Sequence, residues 1–466
     1  MSDVTNDKSK RPKNDSKNDS KIDPKIDPTN EPTHKVKRVT IVGAGFSGLA
    51  TAYYLVRAGY GVEMFETQGR AGGLISTLKT PQGLVETAAN GFLNSRLVED
   101  LFSDLNVPLI GTNRSARRRF IFRAGRGQRW PLGLRASLRV AGFLFQYVFS
   151  RRSLMPQSQE TIAAWGARTL GKEASHYLIE AALQGIYAGD PSRMSAPLIL
   201  GRFFKRGVET SRAPRRHGSV APVEGMGQLI AALESYLRSN GVIIHYGLRF
   251  DFGMRSSKPA ATLAAIQAAI PGAIPPVKQP VIIATNPKEA SKILQSVSPR
   301  KSSLLAQIEM SPVISTTAFF QTTDGATKGF GVLFPPIECR KALGVLKNNF
   351  IFKNRATSQF SETWIQGGAL ANKDLTSQND QQVIDSIVSE RSIAFDLAER
   401  PTEFVTTRWP DGIPHYTLEL QKMIPDLENA EQNVFLTGNY LGDLGLAKIL
   451  ERASKFPERL AKEGQW

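Results

Sequence analysis

Residues 38–73 read RVTIVGAGFSGLATAYYLVRAGYGVEMFETQGRAGG, and this stretch limits the fold more than any other part of the chain. An apolar strand, Val39–Val42, runs into a tight turn, Gly43-Ala44-Gly45-Phe46-Ser47-Gly48. Periodicity predicts a helix from about Gly45 to Ala58, then a second strand from Val62 to Phe65 that ends at Glu66. A GxGxxG pattern alone says little. Set between two strands and followed by an acid, it points to a parallel sheet that binds a dinucleotide. Gly43 is expected to make the turn, Gly45 to let the backbone approach a diphosphate, and Gly48 to let the helix pack closely on the sheet. The first-turn N–H groups, at Phe46 and Ser47 among others, and the helix dipole favour an anion there. Glu66 lies 23 residues beyond Gly43, where its carboxylate can accept from the ribose of an adenosine.

Composition narrows the remaining choices. The chain has 466 residues, enough for two or three domains, with 41% hydrophobic and 22% charged residues. Its one cysteine, Cys339, excludes a disulfide scaffold and a cysteine-ligated iron–sulfur cluster within the chain. Five scattered histidines without an HxH or HExxH pattern argue against a dedicated metal site. The formal charge of +17 suits a nucleic acid, an acidic membrane surface or an anionic substrate. No helix-turn-helix or zinc pattern supports nucleic acid. The positive residues gather mid-chain near apolar segments, which favours the other two. No run of 18 apolar residues predicts a spanning helix, and the amino terminus has no secretory h-region.

Residues 1–36 form a polar, repetitive tail, KNDSKNDSKIDPKIDPT at its centre, expected to be disordered; its aspartates argue against a mitochondrial presequence. After the glycine turn, Leu84–Thr87 reads as a strand and Ser95–Leu105 as a helix with Asn94 as its N-cap and Arg96 near its start. The run RRRFIFRAGRGQRWPLG predicts a strand, a glycine turn and a loop. It leads into Leu138, Val140, Phe143, Leu144, Phe145, Tyr147, Val148 and Phe149, bracketed by Arg135, Arg139, Arg151 and Arg152. An amphipathic helix with basic flanks suits an anionic bilayer surface, and a buried helix with a basic rim has the same pattern. Residues 158–184 read as helical, with a break at Gly185–Pro191. A helix after Glu224-Gly225-Met226-Gly227, a strand at Gly241–Ile244 and a buried strand at Val281–Thr285 return the chain to the first sheet. Strands at Val313–Phe320, Gly331–Phe334, Ala342–Leu346 and Trp364–Gly367 predict a mixed sheet walling a substrate pocket. A helix follows over Gln381–Arg400. The chain closes with a strand, a turn at Gly438–Asp443 and a helix over Gly445–Lys462.

Several segments then carry a resemblance. Arg70-Ala71-Gly72-Gly73 looks like the RxGG segment of the glutathione-reductase-like flavoproteins, amine-oxidase branch. The VET strand, GIYAGDP at 185–191, KGFGVLFPP at 328–336, RWPDGIPHYT at 408–417 and GNYLGD at 438–443 occur in the order found in that branch. From residue 38 onward the chain resembles the amine-oxidase-like FAD family, and within it the protoporphyrinogen oxidases. The resemblance implies an α/β protein: a Rossmann-like FAD-binding domain from residues 37–94, 221–300 and 405–466, a mixed-sheet substrate-binding domain at 301–404, and an inserted helical, membrane-associating domain at 95–220. It implies FAD, held by Gly43, Gly45, Phe46, Ser47, Gly48, Glu66, Arg70, Gly72, Gly73, Trp409, Gly438, Asn439 and Leu444. It implies oxidation of protoporphyrinogen IX with O2 in haem biosynthesis, on the cytoplasmic face of the inner membrane, with a homodimer as one arrangement. The substrate's propionates call for an arginine fork, with Arg96 first and Asn94 beside it; an exposed helix arginine is the competing reading. No catalytic base is assigned; His415 is available, and a structural histidine fits the same position. Coproporphyrinogen III oxidation, a desaturase, an amine oxidase and a non-catalytic membrane- or porphyrin-binding scaffold stay open. Two departures from the family pattern lie near the expected flavin: Ala88-Ala89 where Gly-Pro is usual, and the charges Asp443 and Lys448.

Overall fold

A computed structural model describes residues 37–129, 134–150, 154–204, 214, 218–252, 279–371 and 373–465. The expected disordered tail, the basic run after Phe204 and the alanine- and proline-rich stretch at 255–276 lie wholly or largely outside these residues. Strands in chain order are β1 Arg38–Val42, β2 Gly61–Glu66, β3 Thr77–Thr80, β4 Gly83–Glu86, β5 Phe92–Leu93, β6 Leu109–Gly111, β7 Phe120–Arg123, β8 Arg126–Arg129 and β9 Ser219–Pro222. They continue as β10 Ile243–Tyr246, β11 Val281–Ile283, β12 Met310–Phe320, β13 Gly331–Leu333, β14 Ala342–Lys347, β15 Phe360–Gly367, β16 Glu403–Pro414 and β17 Val434–Leu436.

The first sheet is five-stranded, in the order β10-β2-β1-β11-β17, with every pair parallel. Short apolar runs such as RVTIV and VII suit strands covered on both faces. Alternate residues divide between two cores. Val39, Ile41, Met64, Ile282 and Phe435 pack beneath the helices Phe46–Arg57, Met226–Ser239, Leu446–Ser454 and Phe456–Glu463. Val42, Val281, Ile283, Val434 and Leu436 face Leu294, Leu305, Leu427 and the insert residues Trp165 and Tyr187. The closing helix expected over 445–462 is two helices, because Pro457 starts a new one at Phe456.

The second sheet is seven-stranded, in the order β16-β12-β15-β14-β13-β7-β8. One face packs on the helix Asp380–Phe395 through Ile314, Phe320, Trp364, Ile384 and Ile387. Two boundaries expected from sequence shift here. The arginine-rich stretch forms a full hairpin, turning at Ala124 and Gly125 with φ of 49° and 80°, and β7 pairs with β13. Residues 120–129 thus join the substrate-side sheet rather than the helical insert. Likewise β16, placed by sequence partly with the cofactor segment, pairs along β12. The Trp409-Pro410 step is an irregularity in this edge strand where the register slips between Ser311 and Val313, so Pro410 breaks no ladder.

The insert is helical over Ile162–Leu170 and, after a break at Gly171, from Lys172 to Tyr187; it does not stop at Gly185. Within the basic-flanked segment, Leu134–Phe149 is one helix. Phe143 packs on Trp165 and Tyr147 on Phe204, while Leu138, Leu144, Phe145, Val148 and Phe149 are exposed. The bracketing Arg151 and Arg152, and the side chains of Arg135 and Arg139, lie outside the described residues. No helix among the described residues is long and apolar enough to cross a membrane. These observations establish an α/β fold with mixed sheets and many helices; the division into cofactor, substrate and membrane-associating domains remains an expectation.

Candidate cofactor site

The carboxyl ends of β1, β2, β11 and β17 meet at one edge of the parallel sheet. Gly43, at φ +103°, donates from its N–H to the Phe65 carbonyl at 2.8 Å. A Cβ on Gly43 would stand 3.0 Å from the Ala284 carbonyl, and one on Gly48 2.0 Å from the Gly43 carbonyl. Both glycines are required by the chain itself. Gly45 is not: its φ is −69°, and the nearest atom a Cβ would meet is 3.9 Å away. It also stands as the N-cap of Phe46–Arg57 without a side-chain hydrogen bond to the first turn. A glycine with no internal reason to be one, at an uncapped helix start, fits close approach by a diphosphate.

Glu66 is buried at this edge. One carboxylate oxygen accepts from Ala44 N–H and the other from Gln68 N–H, both at 2.8 Å. Lone pairs remain for further donors such as ribose hydroxyls. The RxGG segment crosses the same turn: Gly72 N–H donates to the Ala44 carbonyl at 2.8 Å, and Gly73 lies against Gly45. Arg70 spends its guanidinium on its own loop, donating to the carbonyls of Ala71, Gly73 and Ile75. It shapes the cradle. Of the other expected residues, Ser47 sits half-buried in the first helical turn, whereas the Phe46 ring turns into the core against Phe92 at 5.6 Å. Only the Phe46 backbone is left facing the turn.

The strand Gly83–Glu86 turns out to be a junction, which sequence reasoning missed. Glu86 is buried, accepts from Thr77 Oγ1 at 2.7 Å, and accepts from Met226 N–H at 2.9 Å. It therefore neutralises the N-terminus of Met226–Ser239, and burial pushes its carboxyl above the usual range. Thr87 Oγ1 donates to the Leu74 carbonyl, and the Thr87 carbonyl accepts from Trp409 Nε1 at 2.9 Å. Trp409 thus ties the substrate-side sheet to the loop that follows RxGG. An acid ending a short strand, facing a Gly-Met-Gly helix start far along the chain, was the available signal.

The later motifs converge in a second buried cluster. The Tyr187 and Tyr416 rings meet edge-on at 5.0 Å. His415 Nε2 accepts from Asp190 N–H at 3.1 Å, with Nδ1 toward Glu309. Burial holds this imidazole below its ordinary value, hence neutral, and leaves it as a linker between motifs. Tyr416 donates to the Asn439 carbonyl, in the turn after β17. Gly438 admits the Tyr440 ring, which a Cβ would meet at 2.6 Å, and Leu444 is half-buried beside the same core. The charge on Asp443 is paired with Arg452 at 2.8 Å, and Lys448 with Glu451. Both unusual charges are compensated within the chain.

Arg96 opens the helix Arg96–Asp104 and pairs with Asp100 at 2.9 Å, about one-third exposed. Asn94 Nδ2 donates to Glu99, and the N-cap is Ser95, not Asn94, because its hydroxyl accepts from Val98 N–H.

The family model described as flavin containing amine oxidoreductase matches residues 46–445. The chain belongs to this family. FAD is its cofactor. The chloroplastic protoporphyrinogen oxidase of Nicotiana tabacum is 24% identical, over 89% of this chain and 83% of its own length. A structure from Exiguobacterium sp. 255-15, provisionally named a protoporphyrinogen oxidase, superposes with a TM-score of 0.69 at 19% identity, covering 92% of this chain and 99% of that one. Cyclohexylamine oxidase from Brevibacterium oxydans gives 0.65 at 17% identity, covering 91% and 100%. The structural likenesses speak to fold, and that fold serves more than one substrate class.

Proposed function

We propose that this chain oxidises a porphyrinogen, protoporphyrinogen IX first, to the porphyrin in haem biosynthesis, with O2 as acceptor. The observation carrying this reading is the correspondence with protoporphyrinogen oxidases over 87–89% of the chain. The convergence of the Gly185–Pro191, Arg408–Thr417 and Gly438–Asp443 motifs in one buried cluster supports it. Bound FAD supplies a two-electron acceptor, and the chain supplies seating and orientation. Gly45, Ser47 and the first-turn amides would receive its diphosphate and Glu66 its ribose, with Arg70 holding Gly72 and Gly73 in place. Trp409, Gly438, Asn439 and Leu444 would border its flavin end. A small apolar cluster on the substrate-side sheet, Val313 and Leu343 with Ala188, Ile365 and Ile413 around them, suits the face of a macrocycle. Arg96, exchanging Asp100 for a propionate, anchors the substrate, with Asn94 beside it.

Anaerobic mixing of the flavin-loaded protein with protoporphyrinogen IX should bleach the oxidised flavin band at about 450 nm, and air should then release fluorescent porphyrin. Bleaching only by coproporphyrinogen III would move the assignment to that substrate. No bleaching by either would refute the porphyrinogen reading and favour a desaturase, an amine oxidase or a scaffold.

The exposed face of Leu134–Phe149 is assigned here to an anionic bilayer surface, on which the chain would rest without crossing. Replacing both Phe145 and Phe149 by Ser should lower partitioning onto anionic vesicles at least about tenfold, since each ring is worth about 1.5–3 kcal/mol on burial. Equal sedimentation of both proteins with the vesicles would remove the assignment.

A further inference from the structure

The turn Asn439–Leu441 leaves β17 at the edge of the parallel sheet where the glycine turn after β1 and Ala284 after β11 also lie. β11 alone separates β17 from β1, so with strands about 4.8 Å apart their carboxyl ends lie roughly 10 Å from each other. Two of the turn's carbonyls are held from outside. Arg452 Nη2 donates to the Leu441 carbonyl at 2.8 Å, and the Tyr416 hydroxyl donates to that of Asn439.

Tyr416 is buried and is fastened on the far side. Its own carbonyl accepts from Ser195 N–H at 2.8 Å. Its ring packs on Tyr187, and its neighbours His415 and Thr417 meet Asp190 and Met194. The residue therefore links the turn ending the insert's helix to the turn bordering the cofactor. Burial also keeps the phenol protonated, so toward a carbonyl it acts only as a donor.

We propose that Tyr416 is a positioning residue for FAD: its hydroxyl fixes the Asn439 carbonyl, and so the flavin-side turn, against the helical insert. This goes beyond the substrate assignment and does not depend on which compound is oxidised. Tyr416→Phe keeps the ring against Tyr187 and removes only the donor. The half-buried Asn439 carbonyl without its partner must move, take a water or stay unsatisfied.

The test is FAD titration of the apoprotein by flavin fluorescence, with visible circular dichroism of the reloaded protein and its melting temperature. Tyr416→Phe should bind FAD about tenfold more weakly, change the flavin dichroism, and melt within about 2 °C of the parent in the apo form. Placing 4-aminophenylalanine at 416, which restores a donor at the ring's tip, should recover both readouts. Unchanged affinity and dichroism in Tyr416→Phe would overturn the proposal whatever happens to the melting temperature. If Tyr416→Phe does not fold, failure of the 4-aminophenylalanine protein to hold FAD with parental dichroism overturns it equally.

Discussion

Gly48→Ala should give a protein that purifies colourless, with FAD binding weakened about ten- to hundred-fold. The added Cβ would lie 2.0 Å from the Gly43 carbonyl oxygen and 3.3 Å from the Ala284 Cβ. The closest obstruction is backbone, so no rotamer relieves it. Gly43 cannot retreat, because its own Cα faces the Ala284 carbonyl and its φ of +103° is already the turn's requirement. The helix Phe46–Arg57 must lift from the sheet, carrying its first-turn amides with it. Overpacking of this kind costs about 1–3 kcal/mol, and at 1.4 kcal/mol per decade that range spans the stated loss. Gly45→Ala separates two causes. It meets nothing in the chain closer than 3.9 Å, so its melting temperature should match the parent's while FAD binding falls. Flavin absorbance per protein, with titration of the apoprotein, measures both. Full retention of FAD by Gly48→Ala would mean the helix start is not the diphosphate seat.

The difference between these two glycines shows what sequence can carry. Strand, turn and helix at 38–66 were legible because local spacing dictates them, and the structure places each within a residue or two of its expected bounds. The strands around 313, 331, 342 and 364 were legible for the same reason. What was not legible is pairing over long separations. Nothing local in RRRFIFRAGRGQR says that it extends a sheet whose nearest strand begins at Gly331. Nothing in VET says that Glu86 caps a helix 140 residues away. Asn94 was read as the cap although Ser95 has the right phase, a one-residue error typical of helix ends. Asp443 stands out in the sequence as a departure from the family pattern because its partner Arg452, nine residues on, becomes a neighbour only when the last turn folds back on its helix.

The helix Asp380–Phe395 also buries a residue that its local pattern does not mark for the core. Its apolar positions Val383, Ile384, Ile387 and Ala394 define a core face, whereas Ile393 is 41% exposed. Arg391 takes the core position instead, fully buried. Its Nε donates to Glu362 at 3.3 Å and Nη2 to the Thr322 carbonyl at 2.6 Å, with the guanidinium 3.8 Å over the Phe320 ring. Glu362, equally buried on β15, also accepts from Trp364 Nε1 at 3.1 Å. Nearby, Lys347 is buried on Thr327 Oγ1, and desolvation holds its ammonium below the ordinary value. Arg391→Met removes the cation bonded to Glu362 and leaves that buried carboxylate with only Trp364 Nε1 and the cross-strand Lys347 to offset its desolvation. The expected loss is about 3–5 kcal/mol. If the chain melts as one unit of this size, that is a fall of about 3–6 °C, from an unfolding entropy of about 2.1 cal/mol/K per residue. Adding Glu362→Gln should restore part of it, because the neutral amide carries no charge to desolvate and its oxygen can still accept from Trp364 Nε1. The single substitution should leave FAD binding at the parallel sheet untouched, since Arg391 and Glu362 lie on the face packed against Asp380–Phe395 and not at the crevice. A parental melting temperature in Arg391→Met would show that the buried Glu362 carboxylate does not depend on Arg391. A double variant less stable than the single would show instead that the pair contributes net stability to this sheet.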